Sequence, residues 1–214
     1  MERIIALLIG YAFGLIQAGY LVGRFYKIDI RKEGSGNSGA TNTARVLGLK
    51  AGLVTVLMDV IKCIGAIVLT YSIFSDQEGV QLIALYAGFG VTLGHNFPFY
   101  MNFKGGKGIA AMGAILIIMA FYNSPWILLI PLAMFLLAIL FTRFVSLGSL
   151  MASFVFLLVV IALGEQGVFE LNRNALLEMY GLVVALVALA WWRHIDNIKR
   201  LINGEENQFG SSSM

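Results

Sequence analysis

Residues 51–74 read AGLVTVLMDVIKCIGAIVLTYSIF, an apolar run in which only Asp59 and Lys62 carry charge. A helix that crosses a bilayer needs about 20 mostly apolar residues, so this run is long enough to span. Ions inside a membrane are expensive and usually pair or line a polar cavity. Asp59 and Lys62 stand at i and i+3, and the spacing predicts a structural, helix-positioning pair rather than direct chemistry. Six further apolar stretches lie outward of this one, at 4–22, 80–99, 109–121, 126–141, 145–163 and 175–192. The pattern predicts an all-α, polytopic membrane protein of about seven transmembrane helices. The run at 4–22 is too long for the core of a signal peptide and ends in no Ala-x-Ala site, so it reads as a retained first span. Asn123-Ser124-Pro125 separates the fourth and fifth stretches as a tight turn, because proline disfavours helix at the preceding residue and suits the first turn of the next.

The bulk composition agrees. Of 214 residues, 59% are hydrophobic and 13% charged, which excludes a disordered chain and leaves no room for a second, water-soluble domain. The single Cys63 rules out an internal disulfide framework, and a net charge of +3 is too small for a nucleic-acid binder. Residues 1–204 read as one transmembrane domain and 205–214 as a polar, Ser-rich, frayed tail.

Lysine and arginine orient the chain, since cytoplasmic loops near the membrane carry the positive excess. With seven spans, Arg24, Lys27, Arg31, Lys32, Arg45, Lys50, Lys104, Lys107, Arg143, Arg193, Lys199 and Arg200 fall on one side, and only Arg3 and Arg173 on the other. The expected topology is N-terminus outside and C-terminus cytoplasmic.

The unusual polar sequence gathers on that cytoplasmic side in four segments: GSGNSGATNTAR at 34–45, GHNFPFYMNFKGGKG at 94–108, TRFVSLGS at 142–149 and RHIDNIKRLINGE at 193–205. Gly34 to Gly39 spells G-x-G-x-x-G, but a dinucleotide fingerprint needs a preceding strand in a βαβ unit. Gly36 to Gly39 imitates an intramembrane serine-protease motif, yet Ser38 sits in a polar loop. Gly106-Lys107 imitates a phosphate loop, but Gly108 stands where Ser or Thr should hold magnesium. The physics these motifs share is anion binding by turning backbone N–H groups and nearby cations, and Lys104-Gly105-Gly106-Lys107-Gly108 is the best phosphate candidate. Arg45, accompanied by Ser35, Asn37, Thr41 and Asn42, is a ligand candidate or a topology anchor. His194 and Asn197 share a helix face at i and i+3 on the amphipathic run Ile195, Ile198, Leu201, Ile202. His95 has no second ligand at metal-binding spacing, and neither metal nor cofactor is expected.

In these segments, and nearly end to end in layout, the chain resembles the bacterial integral-membrane glycerol-3-phosphate acyltransferases that use acyl phosphate as donor. The resemblance implies an active site at the cytoplasmic face of the bacterial cell membrane and a role in phospholipid biosynthesis. It implies that Ser35, Arg45, His194 and Asn197 are catalytic, and that Asn37, Asn42, Lys104, Gly105, Gly106, Lys107, Ser146 and Ser149 bind substrate. Glu205 would be chiefly structural. The implied partners are acyl phosphate, glycerol 3-phosphate, membrane lipid and an acyl-phosphate-producing enzyme that hands over the donor. The His-x-x-x-x-Asp dyad of thioester-dependent acyltransferases is missing: Tyr100 stands five residues after His95 and Lys199 five after His194.

Overall fold

A computed structural model describes residues 1–210, and those residues contain helices, 3-10 turns and loops without a strand. They pack as two compact units, Met1–Ile115 and a second that begins at Leu116. Four segments are long and apolar enough to cross a membrane: Glu2–Phe25, Leu49–Ile73, Val145–Glu165 and Arg173–Arg193.

The first unit holds α1 (Glu2–Gly14), α2 (Ala18–Phe25), α3 (Ala40–Leu47), α4 (Leu49–Ile73), α5 (Val80–Asn96) and the start of α6 (Ile109–Tyr122). The first apolar run is therefore broken rather than continuous, because helix stops at Gly14 and restarts at Ala18. Backbone groups freed in an apolar surrounding must find partners. Here Ile16 O accepts from Lys62 Nζ at 2.6 Å and Leu15 O accepts from the Tyr100 hydroxyl at 2.5 Å. The polar side chain at the break, Gln17, is 1% exposed and donates to Gly14 O, Gly94 O and His95 O.

Helices α1 and α5 pack along each other at backbone distance. Gly10 and Gly14 on one, and Gly90 and Gly94 on the other, make this approach possible. A Cβ on any of the four would lie 2.0–2.4 Å from a carbonyl oxygen of the facing helix. Such small-xxx-small pairs let membrane helices gain packing contacts that larger side chains prevent. Helix α4 packs against α5, α1, α2 and α3, and it carries the buried Asp59–Lys62 ion pair at 2.6 Å.

The second unit contains the end of α6, then α7 (Trp126–Thr142), α8 (Val145–Glu165), α9 (Arg173–Arg193) and α10 (Ile195–Ile202). Pro125 stands immediately before α7 and ends the turn after α6, as expected from the sequence. Helix α7 pairs with α8, α8 with α9, and the short α10 touches both α8 and α9. The segment after Gly204, expected to be frayed, is held by hydrogen bonds as far as Phe209. The Phe209 N–H donates to Arg143 O at 2.7 Å, and Glu206 accepts from Asn197 and Arg200. Residues 211–214 of the expected tail lie outside the described residues.

Candidate active site

The segment at 34–45 is half loop and half helix. Asp29 opens a 3-10 turn by accepting from the Arg31 backbone N–H and guanidinium, and this pairing holds its carboxyl down at about 2. Arg31 also lies over the Tyr20 ring, 4.8 Å from its centroid. Asn42 is 2% exposed; its Oδ1 accepts from the Ser35 N–H, while its Nδ2 donates to Ile30 O and Glu33 O. The Asn42 amide braces the loop against the preceding 3-10 turn. Asn37 Oδ1 accepts from the Gly39 N–H and closes a local turn. Ser35 and Arg45 are exposed, the latter in the last turn of α3. Buried Ser38 donates to Gln17 Oε1 at 3.3 Å. Gln17 thus joins this loop to the end of α5, a role that sequence reading missed although its signal was one amide inside an apolar run.

The glycine-lysine segment folds back on α5. Gly105 N–H donates to Asn96 O and Gly106 N–H to His95 O, both at 3.1 Å. The two donors expected to face a phosphate therefore clamp the loop to the helix end. Close packing explains the glycines. A Cβ on Gly105 would lie 2.0 Å from His95 O, and one on Gly106 would lie 2.0 Å from His95 Nε2. Candidate anion-binding donors come next in the chain: Gly108 adopts φ +79° and α6 starts at Ile109, where first-turn N–H groups lack intrahelical acceptors. Lys104 is exposed, and Lys107 is partly so. Asn96 is 0% exposed beside Gly108, and neither its Oδ1 nor its Nδ2 has a hydrogen-bond partner.

Beneath the loop, Lys62 Nζ lies 2.9 Å from His95 Nδ1. Asp59 Oδ1 lies 3.4 Å from the same nitrogen, but the ammonium is closer and can only donate, so Nδ1 accepts and the proton of the neutral ring sits on Nε2.

In the second unit, Ser146 and Ser149 lie in the first turns of α8, both buried. Ser149 donates to Val145 O, whereas Ser146 Oγ has no partner. His194 marks the corner between α9 and α10 at 3% exposure, and its Nδ1 donates to Ala190 O at 2.7 Å. The proton position is the reverse of that in His95, and Nε2 of neutral His194 is an acceptor. Asn197 donates to Glu206 Oε1 at 2.8 Å, and Arg200 holds Glu206 Oε2 at 2.9 Å. Glu205 is exposed and engages through its backbone N–H, so the carboxylate bracing this corner belongs to its neighbour.

The family described as glycerol-3-phosphate acyltransferase matches residues 4–204. A glycerol-3-phosphate acyltransferase of Shouchella clausii is 38% identical over 98% of this chain and 97% of its own. One from Desulfotalea psychrophila is 38% identical over 94% and 95%. Among solved structures, the fold resembles that of PlsY (YgiH), an integral membrane glycerol 3-phosphate acyltransferase, in its glycerol 3-phosphate form. The TM-score is 0.81, with 30% identity and 98% and 96% of the two chains covered. Its lysophosphatidic acid form aligns with a TM-score of 0.80. The helical layout, the broken first span and the clamped glycine-lysine loop accompany that agreement, and the chain belongs to the glycerol-3-phosphate acyltransferase family.

Proposed function

We propose that this acyltransferase takes its acyl group from acyl phosphate and places it on the 1-hydroxyl of glycerol 3-phosphate. The hydroxyl oxygen attacks the acyl carbonyl, the bond from that carbon to the bridging phosphate oxygen breaks, and the products are 1-acyl-glycerol 3-phosphate and inorganic phosphate. The observation that carries this reading is the exposed Lys104 on a loop clamped to α5 and leading directly into the start of α6. A cation and a helix N-terminus presented together suit the phosphate of the acceptor.

Both substrates are anions, and charge develops on the carbonyl oxygen and the departing phosphate. Arg45, the lysines and fixed N–H donors lower the barrier by placement and electrostatics. Phosphate leaves readily, and the acyl phosphate's own oxygens take the hydroxyl proton. Ser35 and Asn197 orient substrate oxygens, and the unpartnered Ser146 Oγ supplies another donor. His194 binds an anionic oxygen as imidazolium through Nε2–H. The rival role, general base through the same nitrogen, is favoured by one observation: the bond to Ala190 O leaves Nε2 as the proton-accepting atom of the neutral ring. The acyl chain needs only an apolar groove open to lipid, and a donor-producing enzyme hands over acyl phosphate at the membrane.

The topology proposed with this reaction is seven spans, N-terminus outside and the reacting groups at the cytoplasmic face. Three of those spans, α5, α6 and α7, have 17, 14 and 17 residues. At about 1.5 Å per residue, each is shorter than the roughly 30 Å apolar core. Purified protein assayed with labelled glycerol 3-phosphate decides the donor: turnover with acyl phosphate and none with acyl-CoA is expected, and efficient turnover with acyl-CoA alone refutes the assignment. In a Cys63-free background, a cysteine at position 76 or 168 should react with an impermeant reagent in intact cells. A cysteine at 37 should react only after permeabilisation.

A further inference from the structure

We propose that Asp59 and Lys62 act as positioning residues for the acceptor site, by fixing His95 under the glycine loop so that the loop holds Lys104 and the start of α6 in binding geometry. The inference rests on the reading of that loop as the glycerol 3-phosphate site. It assigns a functional role in acceptor binding to an intramembrane ion pair that touches no substrate.

The geometry forms one chain of contacts. Asp59 Oδ1 pairs with Lys62 Nζ at 2.6 Å, both side chains being 3% exposed. The same ammonium donates to Ile16 O at 2.6 Å, at the break between α1 and α2, and to His95 Nδ1 at 2.9 Å. The ammonium thus ties the carboxylate, the Ile16 carbonyl and the imidazole together, by an ion pair to the first and hydrogen bonds to the other two. The contact with Nδ1 selects the His95 tautomer whose Nε2 bears hydrogen, and Nε2 is the atom against which Gly106 packs. From the other side, Gly105 and Gly106 donate to the Asn96 and His95 carbonyls, and Gln17 donates to His95 O. The loop therefore rests on the imidazole as well as on the helix end. An uncharged apolar residue at 62 would fill space without choosing a tautomer or holding Ile16 O. A buried ion pair is a poor device for stability alone, since apolar residues of equal volume often serve as well. Its retention here is explained by what the ammonium does to His95.

The test separates positioning from stability. Lys62→Met and Asp59→Asn each leave an uncompensated group, whereas Asp59→Asn with Lys62→Met removes both charges at nearly constant volume. The paired variant should recover the melting temperature of the parent protein, yet raise the KM for glycerol 3-phosphate about tenfold with the donor KM unchanged. Equilibrium binding of labelled glycerol 3-phosphate should weaken by the same factor, and this readout needs no acyl donor. A paired variant with parental acceptor binding overturns the proposal, as does an equal rise in both Michaelis constants. Lys104→Ala distinguishes failure of the premise. If it leaves acceptor binding unchanged, the loop is not the phosphate site and the proposal falls with it. If it weakens binding and the paired variant does not, the loop reading stands and positioning alone is refuted. Should the paired variant fail to fold, His95→Gln and His95→Phe decide. Gln keeps an N–H near the place of Nε2 and should hold the acceptor KM within about twofold, against about tenfold for Phe. Equal constants for the two would refute the role of His95 as the support.

Discussion

The two histidines of this chain sit in similarly buried corners with opposite proton positions. His95, 4% exposed at the end of α5, accepts from Lys62 at Nδ1 and carries its hydrogen on Nε2. His194, 3% exposed between α9 and α10, donates from Nδ1 to Ala190 O, which in the neutral ring makes Nε2 the acceptor. From the sequence, His194 is a catalytic candidate and His95 is not expected to be a metal ligand. Their partners divide the labour: a histidine facing an ammonium can support and donate, whereas one whose Nδ1–H meets a carbonyl can accept a proton or, once charged, bind an anion. The difference teaches that the function of a buried histidine is set by the group opposite its other nitrogen.

The largest effect expected from disturbing this contrast is on the His95 side. Lys62→Met leaves Asp59 in an apolar interior without its cation, and breaking a buried pair from one side costs about 3–5 kcal/mol. Thermal unfolding in detergent should show a large fall in Tm, and a fall no larger than that of a surface substitution would contradict the ion pair. Next in size is Arg45→Ala, where loss of a placed cation near developing charge should lower kcat/KM about 10²–10³-fold while Tm stays near that of the parent. A similar loss accompanied by unfolding would make Arg45 a structural anchor instead.

How much of this was legible in the sequence depended on which physical signal carried it. Apolar runs and their breaks gave the helices, including the Pro125 turn, because hydrophobic length is written residue by residue. The broken first span was missed, since Leu15 and Ile16 are apolar and only Gln17 marks the interruption. The α1–α5 contact was written as Gly10-x-x-x-Gly14 and Gly90-x-x-x-Gly94, but pairing two such motifs requires knowing which helices meet. In the polar segments, residue types pointed to an anion site without revealing which groups face inward. The Asn42 amide and the Gly105 and Gly106 N–H groups brace the chain, and Glu206 accepts from Asn197. Hydrogen bonds between residues distant in sequence depend on three-dimensional neighbours, and no spacing rule encodes them.

A smaller effect sharpens the account of the glycine loop. Gly106→Ala introduces a Cβ 2.0 Å from His95 Nε2, so ring or loop must shift. The expected result is a rise in the acceptor KM of about 3–10-fold with the donor KM unchanged. A change in the donor constant alone would assign the loop to the other substrate.

The smallest change is expected at His194, and its sign matters more than its size. His194→Gln keeps a hydrogen-bond donor near Nε2 but cannot titrate, so it should retain activity within about tenfold if His194 serves as an anion-binding donor. The parent enzyme then works through the imidazolium, and kcat/KM for the acceptor should fall as pH rises through a histidine range of about 6.5. If His194 is instead the base, the neutral ring is the working form and the same constant should fall as pH drops through that range, with a loss of about 10²–10⁴-fold in the variant. Glycerol 3-phosphate and acyl phosphate titrate near pH 6 themselves, so only a limb present in the parent and absent from His194→Gln belongs to the protein. A basic-side limb that disappears in the variant supports the donor role and substrate-assisted proton transfer. An acidic-side limb that disappears, together with the larger loss, makes His194 the base. His95→Gln supplies the contrast: with Nδ1 occupied by Lys62, His95 has no proton-accepting role to lose, and neither limb should move.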